Sequence, residues 1–303
     1  MEPIKNDSPF DDPDYNFQVK WDGIRCLAYI AKPNVILYNR KLHARTLQYP
    51  ELQVLKEASA DNFILDGEII SISDGRPSFP TVMKREQANN PTNVKKLQKE
   101  FPISYMVFDI LCLNGHSILD APQEERAEIL KPIINNLPSI YAVDTFKGQG
   151  ITLFNSCKEK NLEGIVAKKR NSPYLIGAKS TFWKKIKAYR QQLCIIGGMA
   201  FNKNIVTSLL VGVWNNDNLI FVGSVSSGLN RNIGQELAGI AEKFKIPNCP
   251  FKSIPRQNNA NYKWVEPQLV VLVEFLEWTE HLRLRHPRII DFPAIDPSKA
   301  TLK

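Results

Sequence analysis

Cysteine, histidine and methionine are scarce in this chain, with five, four and four in 303 residues. Cys26, Cys112, Cys157, Cys194 and Cys249 show no C-x-x-C spacing and their total is odd, which argues against a zinc site or a disulfide framework. They read instead as reduced, small buried hydrophobes. His43, His116, His281 and His286 have no metal-like spacing and read as surface or structural groups. No charged start leads into an apolar run, and no stretch approaches ~18 apolar residues, so neither a signal peptide nor a membrane span is visible and a cytoplasmic location is expected. Internal repeats and low-complexity tracts are also missing. Acidic residues are in deficit, 31 against 39 Lys and Arg, giving a formal charge of +8. That balance agrees with a polyanionic partner without specifying one.

The length predicts two domains, each able to bury its own core. Pro3 to Asp14, rich in Pro, Asp and Asn, reads as an irregular lead-in that leaves no room for a separate N-terminal module. Beyond it, short β-rich runs alternate with polar breakers: Arg25 to Ala31, Val35 to Tyr38, and Phe63 to Ile70. A helix is expected over Gln123 to Leu130, with Pro132 limiting its extension. After Lys187 the texture changes. Cys194 to Phe201, Thr207 to Trp214 and Leu219 to Val225 are apolar β-rich runs, the last two joined by a hairpin loop at Asn215-Asn216-Asp217-Asn218. Asn230 to Phe244 has helical spacing with Asn230 or Asn232 as N-cap, and a last strand is expected over Gln268 to Thr279. Several strands around one helix predict an OB-fold. The expected domains are 1–189 and 190–303, in an α+β fold of antiparallel sheets with helices followed by a β-barrel.

Four stretches carry chemistry: Lys20-Trp21-Asp22-Gly23-Ile24-Arg25, Asp66-Gly67-Glu68, Glu163-Gly164-Ile165-Val166-Ala167-Lys168 and Trp183-Lys184-Lys185-Ile186-Lys187. A lysine in a K-x-D-G-x-R setting can form a phosphoramidate with a nucleotide when carboxylates hold a metal and further lysines neutralise the phosphate. At its reference pKa of ~10.4 a lysine is almost wholly protonated at neutral pH, so Lys20 needs surroundings that free its amine. Lys185 and Lys187 alternate on a strand and project to one face. Gly23 is read as allowing close backbone approach to the nucleotide. Glu68 and Glu163 are the carboxylates expected at the ribose and the metal; Mg²⁺ takes only one or two protein carboxylates besides phosphate oxygens.

In order and spacing these motifs resemble the ATP-dependent polynucleotide ligases, most closely the ligase module of the bacterial end-joining system. The resemblance runs from about Tyr15 to Pro287 and includes Tyr105 to Leu111 between the second and third motifs. It implies ATP and Mg²⁺ or Mn²⁺ as cofactors. It also implies that Lys20 is the nucleophile, that Asp22 and Gly23 form the nucleotide-binding turn after it, that Arg25 contacts the ribose with Glu68 at the ribose or the metal, and that Lys168, Lys185 and Lys187 face the nucleotide. Phe108 matches the aromatic that stacks on the purine. Arg40 falls where relatives carry an arginine for the 5′-phosphate at the nick, although Lys41-Leu42-His43 departs from the usual continuation. The implied substrate is nicked double-stranded DNA bound by a monomer. Ku is a candidate partner, and any polymerase or nuclease acts from a separate chain.

The chain departs from the family at its end. Arg285-His286-Pro287 enters the last ligase motif, but Arg288 to Lys299 contains no R-x-D-K, the element that helps orient the leaving pyrophosphate in relatives. Two other readings are kept: a GTP-dependent capping-type nucleotidyltransferase, and a nick-binding protein with weak self-adenylylation. An NAD-dependent ligase is disfavoured because Lys20 leaves no room upstream for a nicotinamide-binding domain.

Overall fold

Period-two alternation builds the first unit. Along Ile24–Ala31, Cys26, Ala28 and Ile30 are buried while Arg25, Leu27 and Tyr29 project to the opposite face. In a computed structural model that describes residues 1–73, 75–254 and 261–302, the chain divides into Met1–Ala188 and Tyr189–Lys303.

The first unit holds two sheets. One is antiparallel along Asn34–Asn39, Ile24–Ala31, Asn62–Ser73, Ile103–Leu113 and His116–Ser117, with Ile140–Ala142 added in parallel. Its core gathers Ala28, Ile30, Leu37, Leu65, Tyr105 and Val107 with Leu52 and Leu55 of the 3-10 helix Pro50–Glu57. The other runs Glu2–Lys5, Lys179–Lys187, Gly164–Lys169, Asp12–Val19 and Phe146–Gly148. Its back face, Phe17, Ile165, Ala167 and Ile186, packs on Leu153 and Cys157 of the helix Gly150–Glu159.

Several boundaries differ from the sequence reading. Glu2–Lys5 is a strand rather than irregular lead-in, paired in parallel with Lys179–Lys187, and Pro3 sits where that register shifts. An edge position tolerates the missing N–H of proline. The third helix of the first unit runs Gln123–Ile133 with Pro132 in its last turn. One ladder bond is lost there, while buried Leu130 and Ile133 keep the turn anchored.

In the second unit Arg190–Asn202 pairs with Ile205–Asn215 on one side and Asn261–Phe275 on the other; Asn218–Val225 follows Ile205–Asn215, and Arg288–Asp291 follows Asn261–Phe275. The two ends of this order meet: Leu284 N donates to Val222 O and Ile289 N to Ser227 O, both at 2.9 Å. The sheet therefore curls into the OB-fold barrel, around Cys194, Val211, Val222, Val271 and Val273. Helix Arg231–Lys243 packs on it, capped by Asn230, whose side chain accepts from Ile233 N. The last long strand starts well before Gln268 and ends at Phe275. Pro267 falls where the register between Ile196↔Leu269 and Gly198↔Trp264 shifts, so no ladder donor is required of it.

Candidate active site

The two sheets of the first unit line one cavity from both sides. Register sets the first wall: Val166 pairs with Gln18 and Lys185, and Lys168 with Trp183, so their side chains share a face. Gln18, Val166, Lys168 and Trp183 line the cavity from this sheet, and Arg25, Glu68 and Phe108 from the other, with Lys20, Trp21 and Pro3 at its rim. Arg25 and Glu68 are direct cross-strand partners.

Lys20 follows the strand Asp12–Val19 and is fixed by its backbone N–H on Gly164 O at 2.9 Å. Its Nζ donates to Glu163 Oε2 at 2.5 Å, and Lys187 Nζ lies 3.0 Å from Glu163 Oε1. One carboxylate thus bridges the proposed nucleophile and a lysine of the last motif. Burial would raise the Glu163 pKa, but Lys20 and Lys187 outweigh it and hold the carboxyl below its usual value. Gly164 allows this turn: its φ is +138°, and a Cβ there would stand 2.1 Å from Ile186 O. Lys185, two residues before Lys187 and on the same face, has its pKa lowered by desolvation and then by Lys187 and Lys20.

Glu68 carries the opposite perturbation. Burial pushes its carboxyl up to about 8, only partly offset by Lys20 and Arg25. Arg25 is gripped through Nε and Nη2 by Asp66, at 3.0 and 2.7 Å. Lys168, 2% exposed, donates to Phe108 O at 2.8 Å and lies over the Phe108 and Trp183 rings at 4.6 and 4.1 Å. Burial lowers it to about 7 against the pull of Asp109 and Asp66.

Three expected residues have other surroundings. At Gly23 a Cβ would lie 2.2 Å from Ile69 O, so sheet packing by itself already requires glycine there. Asp22 is half-buried and does not line the cavity. Arg40 is exposed and pairs with Glu2.

The sequence reading passed over Gln18 and Tyr174, and named Trp183 only as the first residue of the fourth motif, without a role of its own. Gln18 and Trp183 are almost wholly buried, yet Gln18 Oε1 and Trp183 Nε1 have no partner, although Gln18 Nε2 donates to Thr145 Oγ1 at 3.1 Å. Buried polar atoms are rarely left unpaired, so an acceptor and a donor in one cavity wall point to a polar ligand. No spacing rule singles them out.

Comparison with known proteins gives the family of the chain. Residues 7–187 match the family described as ATP dependent DNA ligase domain, and residues 202–292 the ATP dependent DNA ligase C terminal region. The chain belongs to the ATP-dependent DNA ligases. This ligase is 31% identical over 280 residues to the SPbeta prophage-derived DNA ligase-like protein LigB of Bacillus subtilis, covering 92% of this chain and 93% of that one. It is 30% identical over 279 residues to the multifunctional non-homologous end joining DNA repair protein LigD of Mycobacterium tuberculosis, where 89% of this chain covers 35% of the relative. A solved structure of mycobacterial DNA ligase D complexed with ATP and MES matches with a TM-score of 0.56 at 27% identity, over 99% of this chain and 97% of that one. As an ATP-dependent DNA ligase, the protein uses ATP and acts on DNA. Among the described residues, no helix is long and apolar enough to cross a membrane.

Proposed function

We propose that this ligase seals 3′-hydroxyl/5′-phosphate nicks in duplex DNA with Lys20 as the residue that carries AMP. The supporting observation is the Lys20–Glu163–Lys187 bridge at the rim of a cavity walled by Arg25, Glu68, Phe108 and Lys168. In the first step Lys20 Nζ gives up its proton and bonds to the α-phosphorus of ATP, while the bond from that phosphorus to the bridging oxygen breaks and pyrophosphate leaves. The DNA 5′-phosphate oxygen then takes the adenylyl group and the P–N bond breaks, freeing Lys20. Finally the 3′-hydroxyl attacks the activated 5′-phosphate, the phosphodiester forms and AMP departs. Lys185 and Lys187 bring positive charge to the α-phosphate.

Within the cavity, Phe108 stacks on the purine. Gln18 Oε1 accepts from the base and Trp183 Nε1 donates to it, which satisfies both buried atoms. Arg25 faces the ribose, and Asp22 shapes the turn that presents Lys20. Arg40 exchanges Glu2 for the 5′-phosphate at the nick.

The carboxylates fit a hard divalent cation. Burial leaves Glu68 short of positive charge, and among the described residues no group of three or more His, Cys, Asp or Glu could hold an ion alone. That suits Mg²⁺ or Mn²⁺ held by Glu68 and Glu163 with phosphate oxygens completing the shell, where the ion would offset charge on the phosphate. The substrate is nicked duplex, the protein acts as a monomer in the bacterial cytoplasm or nucleoid, and Ku, a polymerase and a nuclease are the partners expected of an end-joining role.

Incubation with α-labelled ATP or GTP, followed by nicked duplex, tests this reading. Label from ATP should attach to the wild type and pass to the nick, and Lys20→Ala should abolish the adduct with the fold intact. A labelled adduct at wild-type level in Lys20→Ala would remove Lys20 from the chemistry. Transfer from GTP alone would favour a capping-type enzyme, and tight nick binding without transfer a DNA-binding role.

A further inference from the structure

We infer that Tyr174 is a positioning residue that sets Arg25 for nucleotide binding, an inference that rests on the proposed role of Arg25 at the ribose. Tyr174 lies between the third and fourth motifs, outside any of them, and is 5% exposed. Its hydroxyl donates to Asp66 Oδ2 at 2.7 Å, accepts from Arg25 Nη2 at 2.9 Å and accepts from the Met1 amine at 2.7 Å. A phenol has one proton and two lone pairs, so all three of its bonding capacities are used. The ring is held edge-on to Trp183 at 5.7 Å, and the Arg126 guanidinium lies 5.9 Å from its centre. The oxygen therefore has little freedom to follow any other partner.

The geometry explains why Arg25 needs a second anchor. Asp66 takes Nε and Nη2, a fork that fixes the guanidinium plane but lets it rock about the carboxylate. Tyr174 bonds to the same Nη2 and to the same Asp66 Oδ2, closing a triangle of three oriented bonds on buried atoms. Rocking would break two of them together. Arg25 also stands 5.7 Å from the centre of the Phe108 ring, so its tilt decides how much room remains beside the aromatic surface of the cavity. Tyr174 reaches Arg25 and Asp66 across 149 and 108 residues of sequence, and it is not among the residues lining the cavity. It acts through Arg25 rather than on the substrate.

A double-mutant cycle read by single-turnover self-adenylylation tests this. Tyr174→Phe should raise the ATP concentration for half-maximal rate about fivefold to tenfold, less than a hydrogen bond to a charged group is itself worth, because the loss reaches the nucleotide only through the tilt of Arg25. The maximal rate should change by less than about twofold, because Lys20 and its neighbours are untouched. In an Arg25→Ala background the same substitution should add nothing. Full, multiplicative effects in the double variant, or an unchanged ATP dependence in folded Tyr174→Phe, would overturn the inference. If Arg25→Ala itself left the ATP dependence unchanged, the role of Arg25 would fail instead, which separates the two claims. Should Tyr174→Phe not fold, fluorotyrosine installed at 174 keeps shape and hydroxyl but weakens the oxygen as an acceptor. It should shift the ATP dependence in the same direction, and no shift there would equally refute the role.

Discussion

Replacing Glu68 by Gln should stabilise the ligand-free protein at alkaline pH and leave it nearly unchanged at acid pH. The glutamate is raised from 4.5 to about 8 by burial, with Glu163 and Asp66 adding to the effect and Lys20 and Arg25 opposing it. Between those two values the folded chain keeps a proton that the unfolded chain has lost, so stability falls as pH rises through this window and is flat outside it. At about 1.4 kcal/mol per tenfold change in ionisation, the full rise bounds the difference at about 5 kcal/mol. Glu68 is only half-buried and water reaches the cavity, which reduces the expected gain to about 1–2 kcal/mol at pH 9 relative to pH 5. Urea unfolding of wild type and Glu68→Gln at pH 5, 7 and 9, without nucleotide or divalent cation, measures it. A difference that is constant with pH would show that Glu68 ionises as an ordinary surface glutamate, and one that grows toward acid that its carboxyl is held below the usual range; either refutes the reasoning. On the proposed metal role of Glu68 the stabilised variant should also lose ligase activity, as a carboxamide cannot replace an anionic ligand.

Glu163→Ala should slow self-adenylylation, and raised Mg²⁺ should restore part of it; an unchanged rate at limiting Mg²⁺ would make this carboxylate purely structural. Lys168→Met should show the opposite pH sign to Glu68→Gln. Burial lowers Lys168 to about 7, so the wild type gains stability over the variant as pH rises from about 7 toward 10, and parallel unfolding curves across that range would contradict it. The altered tail should slow self-adenylylation while sealing of pre-adenylylated nicks stays near normal, since later steps need no pyrophosphate contact. Single-turnover rates for both reactions, beside a relative that keeps R-x-D-K, decide this; equal adenylylation rates would move the tail's role elsewhere.

Linear order revealed those parts of the site whose chemistry is tied to a motif. Lys20, Glu163 and Lys187 are 143 and 24 residues apart in pairs, yet each belongs to a recognisable stretch, and the structure places them in contact. Arg25 and Glu68 follow from strands whose alternation is plain in the sequence. Gln18, Trp183 and Tyr174 were not legible, because what distinguishes them is a buried atom without a partner or a bond closed across more than a hundred residues. Pro132 misled for a related reason: it looks like a breaker locally, but in the last turn of its helix it costs a single terminal bond. For Gly23 the motif showed the need for glycine but not its packing cause, the Ile69 carbonyl that a Cβ would meet.

The short strand Arg288–Asp291 fastens the barrel like a hem. Its backbone pairs with Asn261–Phe275, and Ile289 N reaches Ser227 O across the seam, while the side chain of Ile289 alone is buried in the core. Arg288 and the upstream Arg285 are paired with Glu274 and Glu277. Backbone pairing is indifferent to most side chains, so a stretch expected from the family resemblance to carry leaving-group chemistry can vary without unfastening the domain. If the missing tetrapeptide slows the first step as predicted, it is an edit to reactivity that stability does not register. Drift at this hem would pass unnoticed in any screen for folded protein.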